Sequence, residues 1–135
     1  MIRAVLDTNV FVSAFLLPGR LNRLAGVLLK RAFLWLVSDE ILEEYVVVAT
    51  WPLLRLSSDE MEALFYQVKE RTEWISVRSQ INVTSADPSD NKFLACAVDG
   101  NADWIVTGDH HLLALKKFRN VRIGTPSEFL ITLRS

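Results

Sequence analysis

Apolar and polar positions along this chain follow two textures. Short, mostly apolar runs at residues 2–6, 33–37 and 104–107 are separated by longer stretches in which apolar residues return every three or four positions. A consecutive apolar run fits a strand covered on both faces, whereas the longer period fits a helix with one buried stripe. The pattern predicts a strand at 2–6, then a helix on Val10, Phe11, Ala14, Phe15 and Leu17 that stops at Pro18-Gly19. A second helix follows on Leu21, Leu24, Ala25, Leu28 and Leu29, closed by the cations Lys30 and Arg31, which suit a helix carboxyl end. After the strand at 33–37, Ser38 caps a third helix carrying Ile41, Leu42, Tyr45, Val46 and Ala49, broken at Trp51-Pro52.

Ser57 with Glu60 reads as a capping box for a fourth helix, striped by Met61, Leu64, Phe65 and Val68. Its last residues, with Glu73, read as a solvated face. A short strand at 74–77 and a polar loop at 78–86 lead to a fifth helix, with Asp87 as cap, Pro88 at the first position and Asp90 in the first turn. That helix ends at Asp99-Gly100-Asn101. A strand at 104–107, a short helix at 109–115, a strand at 121–123 and a helix after Thr125-Pro126 complete the chain. Strands alternating with helices predict an α/β fold with a parallel sheet between helical layers.

Composition narrows the picture. The 135 residues suit a single domain spanning 1–135, and 50% hydrophobic with 23% charged residues is a globular balance. The net charge of −1 supplies no general basic field, so any nucleic-acid contact must be a local patch. The lone Cys96 lies in an apolar helical run and reads as a core residue in a reducing, cytoplasmic protein. No apolar run approaches the ~20 residues that cross a membrane, and the amino terminus lacks a cleavable leader.

The chemistry lies in the acids. Asp7 and Asp109 each follow a strand, Asp90 opens the fifth helix, and Glu43 and Glu44 lie in the third. Ligands of open α/β sheets bind outside the carboxyl ends of the strands. Converging carboxylates repel, so they need a cation or a shared proton, and at least one should have a raised pKa. No Lys or Arg stands out in the motifs as a neutraliser. Each Asp could also be a plain helix cap. Hard divalent cations take oxygen ligands and serve phosphodiester cleavage by activating water. Glu43 and Glu44 point about 100° apart on a helix, and spacing does not choose between them. His110-His111 is not a zinc pattern and reads as a pair in a helix's first turn, with His110 a candidate to face the site.

The chain resembles the PIN-domain family, in particular its small VapC-like toxins of toxin–antitoxin pairs. The matching pieces are Val5-Leu6-Asp7-Thr8-Asn9-Val10, Val37-Ser38 with Ile41-Leu42-Glu43-Glu44-Tyr45, Asp87-Pro88-Ser89-Asp90-Asn91-Lys92-Phe93-Leu94-Ala95, Ala102-Asp103-Trp104-Ile105-Val106-Thr107-Gly108-Asp109 with Leu112-Leu113, and Ile123 with Thr125-Pro126 and Phe129-Leu130. The resemblance implies a magnesium- or manganese-dependent ribonuclease on a five-stranded parallel sheet of order 3-2-1-4-5. Its catalytic, metal-holding acids fall on Asp7, Glu44, Asp90 and Asp109, and Glu44 follows from its distance to Ser38. Thr8, Asn9, Ser38, Asn91 and Thr107 fall where the family keeps ligand-orienting polar residues. Asp87 and Asp103 match less essential acids, and His110 stands where relatives carry Lys or Arg. A small antitoxin and an RNA substrate are the implied partners. Other readings are a PIN-like RNA-processing nuclease outside any toxin pair, a non-catalytic interaction module, and an aspartyl-phosphate phosphatase like the haloacid dehalogenases. The last needs a second Asp where Asn9 stands. The aromatic load, with Trp51 beside a helix-ending proline, predicts self-association as a dimer or higher oligomer.

Overall fold

The computed structural model describes residues 1–17, 22–83 and 88–134. Its sheet has six strands in the order β3-β2-β1-β4-β6-β5, made of β1 (Arg3–Leu6), β2 (Leu34–Val37), β3 (Thr72–Trp74), β4 (Trp104–Val106), β5 (Lys117–Phe118) and β6 (Val121–Gly124). All neighbours pair in parallel except β5 with β6. The helices are α1 (Thr8–Phe11), α2 (Asn22–Leu29), α3 (Asp39–Ala49), α4 (Ser58–Arg71), α5 (Asn91–Asp99), α6 (His110–Leu113) and α7 (Pro126–Leu133). Among the described residues no helix is long and apolar enough to cross a membrane.

The expected strand order holds, with one strand added. β6 is the expected last strand, and β5 joins it as an antiparallel edge through a turn with Arg119 at φ 53°. Two residues are too few for a hydrophobic period to show, which is why the sequence pattern implied five strands. β3 begins at Thr72, earlier than its apolar residues suggested, because α4 runs directly into it and Thr72 pairs with Trp35. Glu73 is therefore a strand residue and not part of a solvated face. Its carboxylate accepts two hydrogen bonds from the Arg3 guanidinium, at 3.0 and 2.6 Å, tying an edge strand to β1 across β2.

The three residues Ala4–Leu6 of β1, Trp35–Val37 of β2 and Trp104–Val106 of β4 are buried without a break, so both faces of the central sheet are covered. One row across it reads Trp35, Ala4, Trp104, Arg122. The small Ala4 sits between two indoles. Phe15 stacks on Trp35 at 5.1 Å, Phe11 stacks on Tyr45 at 4.1 Å, and Phe129 meets Trp104 edge-on at 5.3 Å. The first helix changes character after one turn. Residues 12–16 form a π-type turn, closed by the Leu17 amide donating to the Val12 carbonyl at 3.0 Å. Its predicted stop at Pro18-Gly19 lies outside the described residues, as does the predicted cap Asp87.

The predicted caps at Ser38 and Ser57 are present, the latter in a full capping box with Glu60. α5 starts later than expected. Pro88–Asp90 is a 3-10 turn, and the helix proper begins at Asn91. Cys96 is fully buried in α5, and burial pushes its thiol pKa up to about 12, so it is an inert core residue as the sequence suggested.

Glycine substitutions test this packing. A Cβ at Gly124 would stand 2.7 Å from Cζ3 of Trp104, whereas one at Gly26 in α2 would meet nothing within 4 Å. Gly124→Ala should lower stability by roughly 1–3 kcal/mol, the scale of overpacking. Gly26→Ala should raise it by up to about 1 kcal/mol through helix propensity. Urea midpoints of the two variants check the pair.

Candidate active site

The carboxyl edge of the sheet carries the polar residues singled out in the sequence. Leu6 of β1 leads to Asp7, Val37 of β2 to Ser38, Val106 of β4 to Thr107, and Trp74 closes β3. Asp7, Ser38, Asp90 and Thr107 are the buried polar residues among those described. Each buried one needs a partner, since an unpaired polar group costs about 1–3 kcal/mol.

Asp7 is held from two sides. Its Oδ1 accepts from the Val10 amide at 2.8 Å, which caps α1, and its Oδ2 accepts from the Thr107 hydroxyl on the adjacent strand end. The same hydroxyl accepts from the Asp109 amide at 3.0 Å, so Thr107 links the two acids. Burial raises the Asp7 pKa, opposed by the Thr107 and Val10 donors, and the nearby Asp109 charge raises it further. The expected upward shift is there, but desolvation outranks like-charge repulsion as its cause.

Asp109 caps α6, with Oδ1 accepting from the His111 amide at 2.9 Å. Asp7 and Asp109 are thus both helix caps and chemical candidates. The Asp90 carboxyl lies beside Asp109, and this neighbour is the largest of the causes that hold the Asp109 pKa below the ordinary range. The His111 amide and the two histidine side chains, both exposed, act in the same direction.

Glu44 stands apart from that pair. One carboxylate oxygen accepts from the Thr8 hydroxyl and the other pairs with Lys92 Nζ at 2.8 Å. The idea that no lysine neutralises these acids is therefore wrong. Lys92 lies two residues after Asp90 and reaches Glu44 across the contact between α5 and α3. Glu43 is exposed. Asn9 is exposed on α1 and Asn91 is half-buried at the start of α5. Ser38 is a cap whose Oγ accepts from the Ile41 amide at 3.3 Å.

The structure adds a residue the sequence reading used only as core. The Tyr45 hydroxyl is fully buried and donates to the Leu6 carbonyl at 2.5 Å, fixing the end of β1 just before Asp7. The only sequence signal was a hydroxyl on a helix's apolar stripe.

The donors suit a hard cation in kind, being carboxylate oxygens. Among the described residues, no three or more His, Cys, Asp or Glu side chains stand close enough to hold one ion together. The site is thus a set of neighbouring carboxyls, Asp90 and Asp109 beside Asp7, with Glu44 engaged by Thr8 and Lys92.

A family model described as the PIN domain matches residues 3–111. An uncharacterized protein of Methanocaldococcus jannaschii is 29% identical over 143 aligned positions, covering 96% of this chain and 90% of its own. A chain in the crystal structure of VapBC2 from Rickettsia felis, bound to a DNA fragment from their promoter, superposes with a TM-score of 0.59 at 16% identity. That match covers 90% of this chain and 97% of the other.

The Asp7 environment gives a pH test. Its pKa is raised on folding, so the wild type loses stability as pH climbs from the ordinary carboxylate range through the folded value. Asp7→Asn removes that titration and remains a good cap. Its stability relative to the wild type should therefore rise with pH across the same window, and level off on either side. Urea midpoints in chelator over an acidic pH series check this. A wild type that gains on the variant with pH would show that its two donors outweigh burial.

Proposed function

Because the chain belongs to the PIN domain family, we propose that it is a divalent-cation-dependent ribonuclease that cuts phosphodiester bonds internally, acting as the toxin of a toxin–antitoxin pair. One observation carries the reading. Asp7 and Asp109 follow the carboxyl ends of the neighbouring parallel strands β1 and β4, and the buried Asp90, from the turn before α5, stands beside Asp109.

Asp90 and Asp109 are the residues that would first hold magnesium or manganese, with Asp7 drawing in and Glu44 joining on release from Lys92. When bound, such an ion supplies activation of water and charge stabilisation of the leaving oxygen. The chain does the rest. Thr107 orients Asp7 and the backbone of Asp109 with one hydroxyl. Thr8 orients Glu44. Lys92 places a positive charge beside the acids, where it can meet a backbone phosphate. Ser38, Asn9 and Asn91 supply polar groups around the same edge. The domain acts as one unit over 1–135 in the cytoplasm, with single-stranded RNA as substrate and a small antitoxin as partner.

Self-association is part of the proposal. Trp51 is 49% and Leu53 93% exposed just after α3, with Val47 at 61% on the helix itself. Apolar groups this exposed suit a contact between copies. Light scattering at high concentration should give at least twice the chain mass, and a strictly monomeric mass would refute it.

Cleavage assays test the chemistry. Chelator should abolish RNA cleavage and added magnesium or manganese should restore it. Asp7→Asn and Glu44→Gln should each lose cleavage by about a hundredfold or more while keeping the fold, and Glu43→Gln should stay near wild type. Full activity in excess chelator ends the cation reading, and a sensitive Glu43 with an insensitive Glu44 ends the assignment on α3.

A further inference from the structure

Beside the acids, the same sheet edge carries a groove of about 550 Å³ between the first turn of α3, the segment following β3 and the first turn of α5. It is contiguous with the candidate site, because Lys92 lines it and also pairs with Glu44. We propose that this groove is a nucleobase subsite, in which Trp74 stacks on one unpaired base of the RNA next to the bond cut at the acids. The proposal rests on the ribonuclease reading and adds a base-recognition element to it.

Trp74 is the first reason. It is 51% exposed at the end of β3, while Trp35 and Trp104 in the same sheet are 1% and 4% exposed. Among the described residues no other aromatic ring packs against it, whereas Trp35 and Trp104 both have ring partners. A half-open indole in a groove is a stacking platform, and stacking accepts any base.

The groove's wall is fixed before anything binds, which is the second reason. Ile75 and Ile81 are buried, and the Ile75 amide continues the ladder by donating to the Val37 carbonyl at 2.8 Å. Asp99, at the end of α5, clips the segment between them. It accepts from the amides of Arg78 and Ser79 at 2.6 and 2.8 Å and from the Ser79 hydroxyl at 2.5 Å. A wall held this way costs little ordering on binding.

Charge selects the occupant. The charged residues lining the groove are Lys92 at the acid side and Asp39 and Glu40 at the start of α3. Phosphate is favoured beside Lys92 and repelled from the rest, so the part of an RNA that enters is a neutral base. Carboxylates accept from exocyclic amino groups, as they do with cytosine. Guanine, adenine and cytosine carry such groups. Uracil, whose pairing edge sets one N–H between two carbonyls, fits worst.

The experiment uses the full chain and short single-stranded RNA oligonucleotides of defined sequence. In cleavage assays Trp74→Ala should raise KM about tenfold with kcat little changed, and Trp74→Phe should keep most of the wild-type KM. Binding is read separately by tryptophan fluorescence in an Asp7→Asn, Trp51→Phe protein, where Trp74 is the remaining exposed indole. Amino-bearing oligonucleotides should quench it, and oligouridine should quench it less. An unchanged KM in Trp74→Ala, with the wild type cleaving, overturns the subsite and leaves the ribonuclease reading standing. A wild type that never cleaves RNA overturns the ribonuclease reading, and the quenching arm then decides the subsite alone. Absence of quenching by every oligonucleotide overturns it, and quenching equal for all four bases overturns the role given to Asp39 and Glu40.

Discussion

A single buried carboxylate joins three elements of this fold. Asp7 ends the central strand, caps the helix that follows through the Val10 amide, and accepts a hydroxyl from Thr107 at the end of the neighbouring strand. Taking a carboxylate out of water is costly, and the group is tolerated because both of its oxygens have donors. Without that pairing the first helix loses its start and the two strand ends lose their cross-link. The same group lies beside Asp109, so the element that organises the edge of the sheet also supplies its chemistry.

The aromatic layer beneath sets where that edge can be. Two indoles flank Ala4 in one row, and Gly124 leaves room for the ring of Trp104. Tyr45, stacked on Phe11, spends its hydroxyl on the Leu6 carbonyl, the last backbone acceptor before Asp7. Core packing and site geometry therefore meet at one residue of α3, with Glu44 next to it on the chain.

Much of this was legible from residue types and spacing. Ser38 and Ser57 cap where a small hydroxyl precedes an apolar period, whereas the strand order was implied by the resemblance to PIN domains and not by the pattern. Features set by tertiary contact were not legible. β5 is two residues long, and β3 starts on the polar Thr72-Glu73 because Arg3 and Trp35 receive them. Residues 12–16 keep an apolar spacing that suits an α-helix yet form a π-type turn. The Asp90–Asp109 contact and the Lys92–Glu44 pair both join residues far apart in sequence, so no local pattern encodes either. Glu43 and Glu44 could not be separated by spacing, and their surroundings differ only through tertiary contacts, Glu43 being exposed and Glu44 meeting Thr8 and Lys92.

The pairing of Glu44 with Lys92 has a thermodynamic corollary. The carboxylate divides its two oxygens between a neutral hydroxyl and an ammonium, and the ammonium is the one that can leave with a better partner. An anion that captures Lys92 exposes negative charge on Glu44, and a cation that captures Glu44 liberates positive charge on Lys92. Each event makes the other more favourable. Linkage requires the two couplings to be equal, so whatever factor one ligand adds to the other's affinity is returned in full. An ion pair that is self-cancelling at rest thus becomes a cooperative coupling between oppositely charged ligands, carried by one contact between α3 and α5.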